Sequence, residues 1–229
     1  MFDPYPNLPH QIRNYALNSI ISHGGFAIVY KATHLFFKMD FAIKVVCRST
    51  ISEKNAMTYE AEVNSLTKLD HPNVIRLYDF FVEDDNMFLV LEYCSGGTLE
   101  ERISNKRDMP NEEKISICSQ IVSALKYCYD MSIAHQDIKT SNVLFDENGR
   151  IKVADFGLSG FIKDNANINT HKGTLNYLAP EICQKRSFNP FKSDIWSLGV
   201  LFYRLFTGSY PFFGQTKEEL KKKIIDGFY

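Results

Sequence analysis

The hydrophobic period of this chain changes once, and the change falls at Ser95-Gly96-Gly97. Upstream, from about Tyr15 to Tyr93, apolar residues come in short β-branched and aromatic runs, "SIISHGGFAIVYKATHLF", "MDFAIKVVC", "VIRLYDFFVE" and "NMFLVLEYC", broken by Gly, Asp and Asn. Runs of that kind predict an antiparallel sheet. One stretch among them, "EKNAMTYEAEVNSLTKL" (Glu53 to Leu69), sets Met57, Ala61, Leu66 and Leu69 near helical spacing and stops at "DHPN". Downstream the pattern turns mostly helical. "NEEKISICSQIVSALKYCYDM" is long and amphipathic, while "KSDIWSLGVLFYRLFTG" is apolar nearly all round, which predicts a buried core helix. The expected fold class is α+β: a small antiparallel β-rich lobe with one helix, a larger mostly α-helical lobe, and a hinge at Gly96 and Gly97.

Composition sets limits on function. A chain of 229 residues that is 45% hydrophobic buries a sizeable core. Its 26 basic and 27 acidic residues nearly cancel, so no overall field recruits nucleic acid or an anionic membrane, and a polyanion must be held locally. No apolar run approaches the roughly 18 residues of a membrane span, and "MFDPYPNLPHQIRNYALN" lacks the apolar block of a signal peptide; a cytoplasmic or nuclear chain is expected. The cysteines, Cys47, Cys94, Cys118, Cys128 and Cys183, are odd in number and have no C-x-x-C spacing, which argues against disulfides and zinc and for buried free thiols.

A cleft between two lobes is where small ligands usually sit, so polar residues near that junction matter most. "SIAHQDIKTSNVLF" places Asp137, Lys139 and Asn142 between Ile133 and Leu144, where unpaired charge would cost several kcal/mol. The stretch is either a polar turn or a catalytic loop. "ISHGGFAIVYKA" is either a plain hairpin turn or a glycine loop whose amides approach phosphate without Cβ interference. Lys44 in "DFAIKVV" alternates with Ala42 and Val46; it is a snorkelling edge residue unless Glu62 pairs with it. Asp155 in "VADFGLSG" follows an apolar strand and by itself marks a turn.

Taken in order, the Gly-containing hairpin, "FAIK", a helix Glu, "HQDIKTSN", "DFG", "GTLNYLAPE" and "SDIWSLGV" resemble the eukaryotic protein kinases at the family's separations. The resemblance runs from about Tyr15 to the end. "GTLNYLAPE" and "LFTGSYPFFG" look most like the calcium/calmodulin-dependent and AMP-activated group of serine/threonine kinases. It implies an N-terminal extension over 1–14 and a bilobal kinase domain over 15–229, with lobes of about 15–94 and 95–229, whose last helices the chain does not reach. It also implies transfer of the ATP γ-phosphate to a Ser or Thr hydroxyl of a protein substrate, with Mg²⁺, and neither a nucleic-acid nor a membrane partner. By the same resemblance Asp137 orients or accepts the hydroxyl proton and Lys139 neutralises the moving phosphoryl group. Asn142 and Asp155 hold Mg²⁺, and Lys44, fixed by Glu62, holds the α- and β-phosphates. Ile21, Val29, Ala42, Leu91 and Leu144 form the adenine slot, with the backbone of Glu92 and Cys94 at its edge and Gly24 and Gly25 in the phosphate loop. Leu66, Leu77, His135 and Phe156 stack into a spine anchored by Asp194.

Several positions depart from the family pattern. The first and third glycines of the nucleotide loop are Ser22 and Ala27, and Gln136 replaces the Arg before Asp137. These departures keep a pseudokinase or nucleotide-binding scaffold as the alternative function. Where relatives that favour basic substrates carry Glu after the paired glycines, this chain has Thr98, with Glu100 and Glu101 nearby. Thr170 stands where relatives carry an activating phosphothreonine set by an upstream kinase, yet Gln136, Thr58 and Gly160 leave few cations to receive a phosphate.

Overall fold

Alternation of apolar residues through the first third of the chain produces one antiparallel sheet. The computed structural model describes residues 4–23, 27–47, 62–105, 109–156, 160–161 and 175–227. Strands β1 (His10–Ile12), β2 (Tyr15–His23), β3 (Ala27–His34), β4 (Asp40–Cys47), β5 (Leu77–Glu83) and β6 (Asn86–Glu92) pair in the order β1-β2-β3-β4-β6-β5. Two register shifts in β2, after Leu17 and after Ile20, curl it over β3. One face of the sheet carries Leu17, Tyr30, Ile43, Phe88 and Val90, all fully buried, and forms the core of the small lobe. The opposite face carries Val29 against Lys44 and Ala42 against Leu91, all only partly buried.

Helical residues 62–66 (α1) and the "DHPN" segment after them tie the sheet to the rest of the molecule. Asn73 does more than end a helix. Its carbonyl accepts from the Val153 amide at 2.8 Å, and its side-chain amide donates to Ile151 O at 3.0 Å and Gln120 Oε1 at 2.9 Å. The Ile75 amide then donates to Val153 O at 2.9 Å. The small lobe is thus stitched to strand β9 (Ile151–Val153), which pairs with β8 (Val143–Phe145).

The larger lobe is built on helices α2 (Leu99–Ser104), α3 (Asn111–Asp130), α4 (Pro180–Cys183), α5 (Pro190–Thr207) and α6 (Lys217–Asp226), with β7 (Ile133–Ala134) paired to β10 (Gly160–Phe161). Their ends follow sequence rules: Asn189 caps α5 ahead of Pro190, Gly208 ends it in the left-handed region, and Thr216 and Gly227 do the same for α6. Helix α3 buries Ile117, Ile121, Ala124, Leu125 and Cys128, one stripe at helical spacing. Those side chains join Leu66, Phe145, Phe156, Leu198 and Leu201 in one core that crosses from α1 into the large lobe. Full burial of such a residue is worth about 1.5–3 kcal/mol.

One expectation is revised. Helix α5 is not buried all round: Ile195, Tyr203 and Phe206 form an exposed stripe opposite Ser193, Leu198, Leu201 and Leu205. Gly96 and Gly97, the expected hinge, lie against β8. The Gly96 amide donates to Phe145 O and the Phe145 amide to Gly97 O, both at 2.9 Å. A Cβ at Gly96 would fall 2.7 Å from that of Phe145, and Gly97 takes φ +72°, so the glycines permit a close backbone approach. The bilobal α+β fold is otherwise as expected. Among the described residues no helix is long and apolar enough to cross a membrane.

Candidate active site

Strand β4 presents Lys44 on the cleft face, and α1 brings Glu62 beneath it. Lys44 Nζ donates to Glu62 Oε1 at 2.8 Å and Oε2 at 2.7 Å, and to Asp155 Oδ1 at 3.1 Å. Glu62 is 1% exposed, so burial pushes its carboxyl up against the opposing pull of Lys44. Asp155 differs: the Lys44 charge holds its carboxyl below the usual range against desolvation, and 46% of its side chain faces solvent. The alternative reading of Lys44 as a solvent-reaching edge residue fails on this geometry.

The loop after β7 gathers the second half of the site. Asp137 Oδ2 accepts from Lys139 Nζ at 2.6 Å and from Asn142 Nδ2 at 3.1 Å, while the same Asn142 amide donates to Asp137 O at 2.8 Å. Asp137 Oδ1 and Asn142 Oδ1 accept nothing among the described residues. Burial raises the Asp137 carboxyl, with Lys139 opposing, which makes it a better proton acceptor than an exposed Asp. The Ala154 amide donates to Asn142 O at 2.8 Å, setting Asn142 beside Asp155. One carboxylate and one amide oxygen, both hard donors, fit Mg²⁺, which takes few protein ligands and completes its shell with phosphate and water.

Two non-glycine residues here are left-handed, Gln136 at φ +65° and Asp155 at φ +66°. Such backbone costs roughly 1–3 kcal/mol per residue and persists where surrounding contacts enforce it. Enforcement at Gln136 comes from Asp194 on α5, whose two oxygens accept the amides of His135 and Gln136, each at 2.7 Å. Burial nevertheless pushes Asp194 up to about 7, with those amides opposing. His135 is fully buried, its Nε2 3.0 Å from Ala154 O and its ring 4.6 Å from Phe156. Its Nδ1 accepts the Asp137 amide at 3.2 Å, so the neutral ring donates from Nε2. Desolvation lowers it to about 4. Leu66 lies in the same core, with Leu77 packed against it.

The slot residues separate into groups. Val29, Ala42 and Leu91 share the cleft face of the sheet, and Leu144 bridges to Thr98 from β8. Ile21 stands on β2 with 47% of its surface exposed. Burial pushes the Cys94 thiol up to about 12, and its side chain packs against the large-lobe core. The Glu92 side chain is occupied by Lys152 Nζ at 2.8 Å, a partner the sequence reading missed. Gly24, Gly25 and Thr170 lie outside the described residues. The sequence places Glu100 near the paired glycines and Tyr177 within "GTLNYLAPE", but gives no sign that both meet Thr140 or that Arg204 joins them.

The model of the protein kinase domain matches residues 15–229. A Mus musculus protein that carries the name sperm motility kinase W is 40% identical over 215 residues, covering 94% of this chain and 42% of its own length. The serine/threonine-protein kinase SIK3 homolog of Danio rerio is 36% identical over 213 residues, 93% of this chain and 18% of its own length. The chain thus spans less than half the length of these relatives. Matched along nearly all of its length, and with Lys44, Glu62, Asp137, Asn142 and Asp155 in one cluster, the chain belongs to the protein kinase domain family.

Proposed function

We propose that this domain is a competent serine/threonine protein kinase that transfers the ATP γ-phosphoryl group to a Ser or Thr hydroxyl of a protein. One observation carries the reading: Lys44 Nζ is held at once by both oxygens of Glu62 and by Asp155, so the cation meant for phosphate is already in place. In the reaction the acceptor oxygen bonds to the γ-phosphorus as the bond from that phosphorus to the bridging oxygen breaks, and ADP leaves. Asp137 Oδ1 orients the acceptor hydroxyl and takes its proton. Lys139, held 2.6 Å from Asp137, supplies positive charge where charge moves to the transferred oxygens. Asn142 Oδ1 and Asp155 would hold Mg²⁺, which when bound neutralises phosphate oxygens. The Ser/Thr class is supported by the name of the Danio rerio relative and by Lys139 two residues after Asp137.

The experiment is Mg·ATP turnover on mixed Ser/Thr peptides by purified protein beside an Asp137→Asn variant, followed by identification of the phosphorylated residue. Wild type is expected to label Ser or Thr at least 100-fold faster than the variant. Equal signals would remove the enzyme reading, and calorimetric binding of ATP without turnover would leave the scaffold alternative.

A further inference from the structure

Glu100 lies in the first turn of helix α2, 104 residues before Arg204 on α5, yet the two meet as a bidentate pair: Arg204 Nε donates to Glu100 Oε2 at 3.1 Å and Nη2 donates to Oε1. Glu100 Oε2 also accepts the Thr140 hydroxyl, and Oε1 accepts Ser104 Oγ at 3.1 Å. Each carboxylate oxygen therefore has two donors. Because the Thr140 proton goes to a carboxylate, which only accepts, the 2.8 Å contact between Thr140 Oγ1 and Tyr177 Oη has tyrosine as donor. The Thr140 amide donates back to Tyr177 Oη at 3.4 Å. The Tyr177 ring meets Tyr210 edge-on at 5.6 Å, and the Arg204 guanidinium lies 4.0 Å over Tyr210. Glu100, Thr140, Tyr177, Tyr210 and Arg204 thus close a ring. Burial alone would raise the Glu100 carboxyl, but the hydrogen bonds from Arg204 and Thr140 outweigh it and hold it low.

Thr140 adjoins Lys139 and follows Asp137 by three residues. Its far side is anchored as well, since Ser197 Oγ of α5 donates to Tyr177 O at 2.7 Å. The loop is therefore fixed to α5 at both ends, by Asp194 at His135 and Gln136 and by the ring at Thr140. We propose that the Glu100–Arg204 pair is a positioning device for the catalytic loop, acting through Thr140 to hold Asp137 and Lys139 in register. The proposal rests on the kinase reading above. It also removes Glu100 as a receptor for basic substrate residues, because its oxygens are already filled. Glu101 is likewise committed, accepting the Thr98 amide at 2.8 Å in the capping box of α2.

The test compares wild type with Glu100→Gln, Arg204→Met, Thr140→Val, the Glu100→Gln/Arg204→Met double variant and Arg204→Lys. Two quantities are read: steady-state kinetics and hydrogen exchange of the amides at 136–142. Each single variant is expected to lower kcat about tenfold with the KM for ATP within twofold. The Thr140 amide should exchange at least tenfold faster while α3 amides are unchanged. The double variant should be no worse than either single one, and Arg204→Lys should recover part of kcat. Unchanged loop exchange with wild-type kcat overturns the proposal. So does a joint shift of kcat, KM for ATP and melting temperature, which is the mark of a merely structural pair. If wild type itself shows no turnover, the kinase reading fails, and loop exchange alone then decides whether the pair positions the loop.

Discussion

Single residues here carry opposed electrostatic loads, and His135 and Asp194 show the consequence for pH. The folded protein prefers His135 neutral, at about 4 against an ordinary 6.5, so the stability it contributes is complete above 6.5 and is lost as pH falls toward 4. Asp194 runs the other way. Its folded value of about 7 exceeds the ordinary 3.8, so its contribution is complete below 3.8 and is lost as pH rises through 7. Between pH 4 and 6.5 the two slopes oppose. His135→Phe keeps an aromatic ring against Phe156 and removes one slope. The variant should gain roughly 2 kcal/mol relative to wild type between pH 7.5 and pH 5, by linkage from the His135 shift. Urea unfolding of both proteins at the two pH values measures it; a difference that does not change with pH would show that His135 carries no such shift in solution.

At the scale of elements, the glycines separate close approach from mere occupancy. Gly96 lies against β8, where a new Cβ would sit 2.7 Å from Phe145 Cβ and 3.0 Å from two carbonyl oxygens. Gly96→Ala should therefore cost about 1–3 kcal/mol, because backbone and not a flexible side chain must move. Gly199 is the contrast: it lies inside α5, is exposed, and a Cβ there meets nothing within 4 Å. Gly199→Ala should stabilise by roughly 0.5–1 kcal/mol through helix propensity. Denaturant midpoints for the two variants check both signs. If Gly96→Ala left the midpoint in place, the close approach of the glycine segment to β8 would not constrain the fold.

For the whole molecule, the legible part of the site was what recurs at short range. Asp137, Lys139 and Asn142 sit within six residues, and the hydrogen bonds among them follow from that spacing once the loop forms. The Lys44–Glu62 pair was legible from the ordered motifs, since Lys44 stands in "FAIK" and the resemblance sets Glu62 on the following helix as its partner. The link from Glu100 through Thr140 to Arg204 was not, because no local period relates residues 104 apart. Asn73 reads in the sequence only as part of a helix stop, because its two bonds to β9 and its third to Gln120 on α3 depend on how the lobes dock. Hydropathy predicts α5 buried all round because it does not tell which apolar face meets a neighbour. If Lys44, Glu62 and Asp155 form a phosphate-holding centre, turnover by a Lys44→Met/Glu62→Gln double variant should collapse. Removing both charges avoids a stranded buried carboxylate, so the fold should survive with a melting temperature near that of wild type. At least a 100-fold loss in kcat/KM for ATP with the fold intact is expected; turnover within threefold of wild type would show that these residues do not hold phosphate.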